Sequence, residues 1–122
     1  MYNWQNKSIV IADDDSINIE LIKLMLQSTK ANIHLFDNGQ KVVEFVKDNN
    51  IDIIVLDIQM PVLDGFQTAK KLQEMGFSGK LFALTALNTS EDKHKYSKYN
   101  FDEVIEKPIR KKELLEIIDK YI

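Results

Sequence analysis

Residues 51 to 57 read IDIIVLD, the most continuously β-branched run in the chain, and it ends on an aspartate. A strand that is apolar on both faces needs cover on both, which suits the centre of a parallel sheet packed between helices. The same pattern recurs along the chain. Lys7 to Ala12 is a first strand running into Asp13, Asp14 and Asp15. Ser16 to Ser28 then carries Ile17, Leu21, Leu24 and Met25 at helical spacing, with Ile22 and Leu26 widening the expected core face. Asn32 to Phe36 is a short second strand, and the turn Asp37-Asn38-Gly39 leads into a helix over Gln40 to Lys47.

After the third strand and the loop Gln59 to Asp64, a helix from about Gly65 to Met75 has Phe66, Ala69 and Leu72 on one side, and Gly76 stops it. A fourth strand starts at Lys80 and ends at Thr85-Ala86. Asn88 to Asn100 is the least amphipathic helix: Asn88 and Glu91 have capping-box spacing, while Tyr96 and Tyr99 are its chief anchors. Glu103 to Glu106 is a fifth strand, and Arg110 to Tyr121 a closing helix. Five strand-then-helix units predict one α/β domain, a doubly wound parallel sheet with helices on both faces, over residues 7–122. Met1 to Asn6 reads as a tail or linker, an odd place to leave Trp4 exposed.

Composition narrows the function. The chain is 44% hydrophobic and 29% charged, which excludes disorder, and its formal charge of −3 argues against electrostatic gripping of nucleic acid. The absence of cysteine excludes disulfides and thiolate metal sites and suits a reducing, cytoplasmic setting. No apolar run approaches a membrane span.

In a doubly wound sheet, ligands sit outside the carboxyl ends of the strands. The first strand ends at Asp13 and Asp14, the third at Asp57, the fourth at Thr85 and the fifth at Lys107. Two carboxylates about 5 Å apart repel by roughly 3 kcal/mol at an effective dielectric near 20, so crowding them requires a compensating benefit. A nucleotide site would place a glycine-rich turn after the first strand, but this chain places carboxylates there. They would repel a phosphate unless a divalent cation intervened, and hard oxygen ligands in small number point to magnesium. With a metal present, Asp57 can attack phosphorus and form an acyl phosphate, while Lys107 and the Thr85 hydroxyl hold the transferring oxygens. Asp15 reads as a solvated residue favoured by the first helix's dipole. His34 and His94 have no partner at metal-ligand spacing, and Tyr96, Tyr99 and Phe101 read as packing residues.

The segments IVIADDDSIN, IVLDIQMPVLDGFQ, ALTA and VIEKPI, in that order, resemble the receiver domain of bacterial two-component response regulators, and the resemblance covers essentially the whole chain. It implies a flavodoxin-like fold with strand order 2-1-3-4-5 and five flanking helices. It also implies a phosphorelay role in which a histidine kinase or phosphotransfer protein gives a phosphoryl group to Asp57. Asp13, Asp14, Asp57 and the backbone carbonyl of Gln59 would hold Mg²⁺. Thr85 and Lys107 match the family's switch hydroxyl and phosphate-binding lysine. Pro61 and Gly65 match the loop after the phosphoacceptor, and Pro108 stands where a cis Lys-Pro bond is typical.

The chain departs from the family where many receivers carry a mobile aromatic ring three residues before the lysine; Val104 stands there. Gln59 and Leu87 occupy positions that modulate acyl phosphate lifetime in the family. The domain is expected to be modified rather than to turn over substrate. It is expected to act as a monomer or weak dimer, without nucleic acid or membrane contact, free-standing or within a hybrid sensor kinase. Two rival readings are a metal-dependent phosphatase or phosphotransferase acting on an outside substrate, and a receiver-like binding module that is never phosphorylated.

Overall fold

In the computed structural model, residues 2–86 and 90–122 are described. The strands are β1 (Ser8–Ala12), β2 (Asn32–Phe36), β3 (Ile53–Asp57), β4 (Lys80–Thr85) and β5 (Glu103–Glu106). The helices are α1 (Ser16–Leu26), α2 (Gly39–Lys47), α3 (Gly65–Glu74), α4 (Ser90–Lys98) and α5 (Lys111–Asp119), and a short 3-10 turn, Gln27–Thr29, follows α1. All strand pairings are parallel, as the alternating pattern predicts, and the order β2-β1-β3-β4-β5 is the one the family resemblance implies. The Asn88–Glu91 capping box and Leu87 fall outside the residues and side chains described.

Alternation along the strands divides the core into two layers. Ile9, Ile11, Ile53, Val55, Phe82 and Leu84 pack against α1 and α5 through Ile22, Leu26, Leu114 and Ile118. Val10, Ala12, Ile54, Leu56 and Leu81 face the other way, onto Val42 of α2 and Ala69 and Leu72 of α3. β3, in the middle, is buried along its whole length, which explains its unbroken apolar run.

Side-chain caps set the helix starts. Asp15 accepts from the backbone N–H groups of Ile17 (3.0 Å) and Asn18 (3.5 Å), so the third aspartate of the run caps α1. Asn38 caps α2, accepting from Lys41 N–H. Asp64 and Gln67 form a reciprocal capping box on α3. Gly76, at φ 78°, ends that helix in the left-handed region.

Two expectations change. α1 buries Ile22 and Leu26, whereas Ile17, Leu21 and Leu24 are 71%, 49% and 60% exposed. Apolar residues surround much of this helix, and only the stripe that meets the sheet and α5 is covered, so periodicity could not choose between its faces. Trp4, expected in an exposed tail, is only 5% exposed and belongs to the α1/α5 core layer. Its backbone N–H donates to Thr29 O at 2.6 Å, Lys7 N–H donates back to Trp4 O, and Tyr2 packs on its ring at 5.3 Å. An indole offers more apolar surface than any other side chain here, so its burial in this layer is favourable.

No described helix is long and apolar enough to cross a membrane. Removing the Trp4 ring should destabilise the whole domain: Trp4→Ala is expected to cost about 3 kcal/mol, seen as a lower urea midpoint at unchanged slope. An unchanged midpoint would show that the segment before β1 contributes nothing to the fold.

Candidate functional site

β1 and β3 are neighbours in the sheet, and Ala12 pairs with Leu56. The next residue on each strand therefore brings Asp13 beside Asp57 at the carboxyl edge. Both are buried, Asp13 completely, whereas Asp14 is exposed. One carboxylate oxygen from each of the three lies within 4.8 Å of the others, a grouping able to hold a metal ion. Oxygen-only donors in an open cluster suit a hard divalent cation that keeps part of its water shell.

Lys107 lies across this cluster. Its Nζ is 3.2 Å from Asp13 Oδ2 and 3.2 Å from Asp57 Oδ2, and its side chain is 22% exposed. The backbone N–H of Lys107 donates to Thr85 O at 2.8 Å, which ties the end of β5 to the end of β4, and the following Lys107–Pro108 bond is cis. Asp57 Oδ1 accepts from Gln59 N–H at 3.2 Å. Asp13 Oδ1 accepts from Asp15 N–H at 2.9 Å, and its Oδ2 accepts from the Asn18 amide at 3.4 Å. The sequence reading missed Asn18. Its signal was available, since Asn18 follows the α1 cap by three residues and so lies in the turn above Asp13.

A cavity of about 560 Å³ opens beside the cluster, lined by Asp14, Gln59, Met60, Thr85 and, from α3 and α4, Phe66 and Lys95. Beside it, Gly65 lets α3 begin against β3: a Cβ there would lie 2.8 Å from Asp57 O and from Ile58 Cα, so only glycine lets the helix start so close. A larger cleft, about 870 Å³, lies at the opposite edge of the sheet among Lys7, Lys47 and Lys80; the carboxylate it contains, Asp52, is occupied by Ser8 N–H at 2.8 Å. All the predicted site residues within the described part, Asp13, Asp14, Asp57, Gln59, Thr85 and Lys107, come together at the carboxyl edge. His34 instead packs on Phe45, and His94 is exposed on α4.

Fold, acidic cluster and bridging lysine together define a class, and the sequence matches the response regulator receiver domain family over residues 9–119. The chain belongs to that family. Hybrid signal transduction histidine kinase L of Dictyostelium discoideum is 34% identical over 121 residues, a match covering 93% of this chain and 7% of that protein. The chain thus spans a small fraction of the length of such relatives. The receiver domain of sensor histidine kinase PA1611 from Pseudomonas aeruginosa, solved with a magnesium ion coordinated in its active site cleft, is 26% identical at a TM-score of 0.86, covering 94% of this chain and 96% of that one. A chain of the co-crystal of the Saccharomyces cerevisiae histidine phosphotransfer signaling protein Ypd1 with the receiver domain of its downstream response regulator Ssk1 is 26% identical. Its TM-score is 0.88, covering 96% of this chain and 89% of that one.

The electrostatics of the cluster follow from its burial. Asp57 is pushed up to about 6, first by desolvation and then by the Asp13 charge, against the opposing pull of Lys107. Burial alone would lower the Lys107 ammonium, but attraction to Asp57 and Asp13 outweighs it and its pKa rises. A carboxylate raised in the folded state binds more protons there than when unfolded. Its effect on stability is therefore unfavourable, developing as pH climbs from about 4 through about 6 and persisting above. In metal-free buffer, Asp57→Asn is expected to stabilise the domain by about 2 kcal/mol at pH 7.5, with the gain vanishing near pH 4. Urea unfolding of both proteins at the two pH values measures it, and a variant less stable than wild type at pH 7.5 would contradict this electrostatic picture.

Proposed function

We propose that the domain accepts a phosphoryl group from a phosphohistidine onto Asp57, with Mg²⁺ held by Asp13, Asp14, Asp57 and the backbone carbonyl of Gln59. The observation that carries this reading is the three-carboxylate cluster bridged by Lys107. A bound divalent cation would offset the charge on the carboxylates and on the incoming phosphoryl oxygens. A carboxylate oxygen of Asp57 attacks phosphorus in line, and the phosphorus–nitrogen bond breaks. Its electron pair returns to the imidazole ring of the donor, leaving an acyl phosphate on Asp57. Lys107, already against Asp57 Oδ2, moves onto a phosphoryl oxygen, and Thr85 on the cavity wall takes another.

The domain is modified rather than turning over an outside substrate. Gln59, two residues beyond Asp57, lines the cavity where a phosphatase would need an acid for its leaving group. A monomer or weak dimer in the cytoplasm, without nucleic acid or membrane contact, fits its acidic charge and cysteine-free composition.

The phosphohistidine arrives on a histidine kinase or phosphotransfer protein, which must approach across the carboxyl edge. Asp15 at that edge caps α1, so the exposed stripe Ile17, Leu21 and Leu24 begins next to the site. The stripe runs about 10 Å along the helix. An apolar stripe beside an acidic pocket gives a donor surface a place to bury.

Incubated with Mg²⁺ and acetyl phosphate, the wild type should gain the mass of one phosphoryl group and Asp57→Asn should gain none. Equal labelling of both would end the assignment. Magnesium should raise the melting temperature of the wild type, and Asp14→Ala should largely abolish the rise. Leu21→Glu should slow labelling by a phosphohistidine protein at least tenfold yet leave labelling by acetyl phosphate unchanged. Equal slowing with both donors would assign Leu21 to the fold instead.

A further inference from the structure

The balance of charge at the cluster changes on phosphorylation. With the three carboxylates ionised, one divalent cation and the Lys107 ammonium together bring the site to formal neutrality. Conversion of the Asp57 carboxylate into an acyl phosphate adds roughly one further negative charge. The resting cluster has no cation to match it, because Lys107 is already shared between Asp13 and Asp57.

Among the described residues lining the adjoining cavity, Lys95 of α4 is the one cationic side chain. Its ammonium lies 5.3 Å from the centroid of the Phe66 ring and takes part in none of the ion pairs among the described residues. A cation on an aromatic face at an exposed position is weakly held, so a stronger anion can draw it away. Phe66 also meets Tyr96 at 5.4 Å, Tyr99 at 5.8 Å and Phe101 at 6.1 Å between ring centroids. The ring that Lys95 covers therefore joins α3 to α4.

We propose that Lys95 is a second phosphoryl-facing cation, drawn from Phe66 toward the modified Asp57 and so linking the acyl phosphate to the α3–α4 aromatic contact. The proposal rests on Asp57 being the phosphoacceptor. It gives this chain a way to move α4 that needs no ring at Val104, since the charge that moves is on α4 itself.

Mg²⁺ and beryllium trifluoride, which mimics a phosphoryl group on a carboxylate, test it by calorimetric titration at low and moderate salt. Lys95→Met keeps an unbranched apolar stem over Phe66 and removes the charge; Lys95→Arg keeps the charge. In Lys95→Met the beryllium trifluoride complex should weaken roughly three- to tenfold at low salt, the scale of a partly solvated unit-charge interaction. The loss should shrink as salt rises. Mg²⁺ affinity should stay unchanged or tighten slightly, because a nearby positive charge has been removed, and Lys95→Arg should restore wild-type binding within about twofold. Beryllium trifluoride binding by Lys95→Met equal to wild type at low salt would overturn the proposal. So would a parallel weakening of Mg²⁺ and beryllium trifluoride that arginine does not rescue, which would mark Lys95 as structural. A wild type that forms no beryllium trifluoride complex in Mg²⁺ would overturn the phosphoacceptor reading itself.

Discussion

The ammonium of Lys107, 3.2 Å from a carboxylate oxygen of Asp13 and equally far from one of Asp57, is the interaction on which the carboxyl edge depends. Two buried carboxylates at adjacent strand ends repel each other, and burial withholds the water that would screen them. Lys107 answers both charges at once, and only the strand order makes that possible. β1 and β3 are neighbours, so Asp13 and Asp57 are adjacent; β5 lies two strands from β3, and the long lysine stem spans the interval. Further donors are the backbone N–H groups of Asp15 to Asp13 and of Gln59 to Asp57, and the Asn18 amide to Asp13. The compensation is incomplete, as the raised Asp57 pKa shows. A site left short of positive charge is suited to recruit a divalent cation.

The parallel sheet and the meeting of the site residues were legible in the sequence because both follow from periodicity and from where each strand ends, whereas the strand order was implied only by the resemblance to receiver domains. A strand that ends in Asp delivers that Asp to the carboxyl edge whatever the packing details, and the parallel topology brings all such ends to one side. Helix orientation is different in kind. α1 has apolar residues around most of its circumference, so its burial is decided by what lies opposite, which a single sequence does not contain. The exposure of Ile17, Leu21 and Leu24 thus emerges only from the packed structure. The burial of Trp4 was illegible for a related reason: it depends on the core layer it joins and on a backbone bond to Thr29, both remote from it along the chain.

Asp15 illustrates how local and site chemistry share one run of residues. Its side chain caps α1 while its backbone N–H donates to Asp13, so the turn that starts the helix also orients a carboxylate of the cluster. The Asn18 amide, one turn into α1, adds a second donor to Asp13. The three consecutive aspartates therefore divide into a buried ligand candidate, an exposed one and a cap. Equal charge in sequence becomes unequal function through burial and backbone geometry.

The same logic bears on how a change at Asp57 reaches the surface. The ends of β4 and β5 are joined by the Lys107 N–H to Thr85 O bond, so the backbones that carry Lys107 and Thr85 are held in fixed relation to each other. Gly65 holds the start of α3 against the Asp57 backbone, where a Cβ would not fit. Phe66, the next residue, meets Tyr96 of α4 and then Tyr99 through tilted ring contacts, and the Lys95 ammonium through its face, rather than through backbone hydrogen bonds. Ring contacts tolerate sliding that a hydrogen-bonded sheet edge does not, because dispersion varies slowly with lateral displacement while a hydrogen bond fails beyond a few tenths of an ångström. Displacement of α4 against Phe66 therefore meets less resistance than displacement of the hydrogen-bonded strand ends, and that route does not pass through Val104.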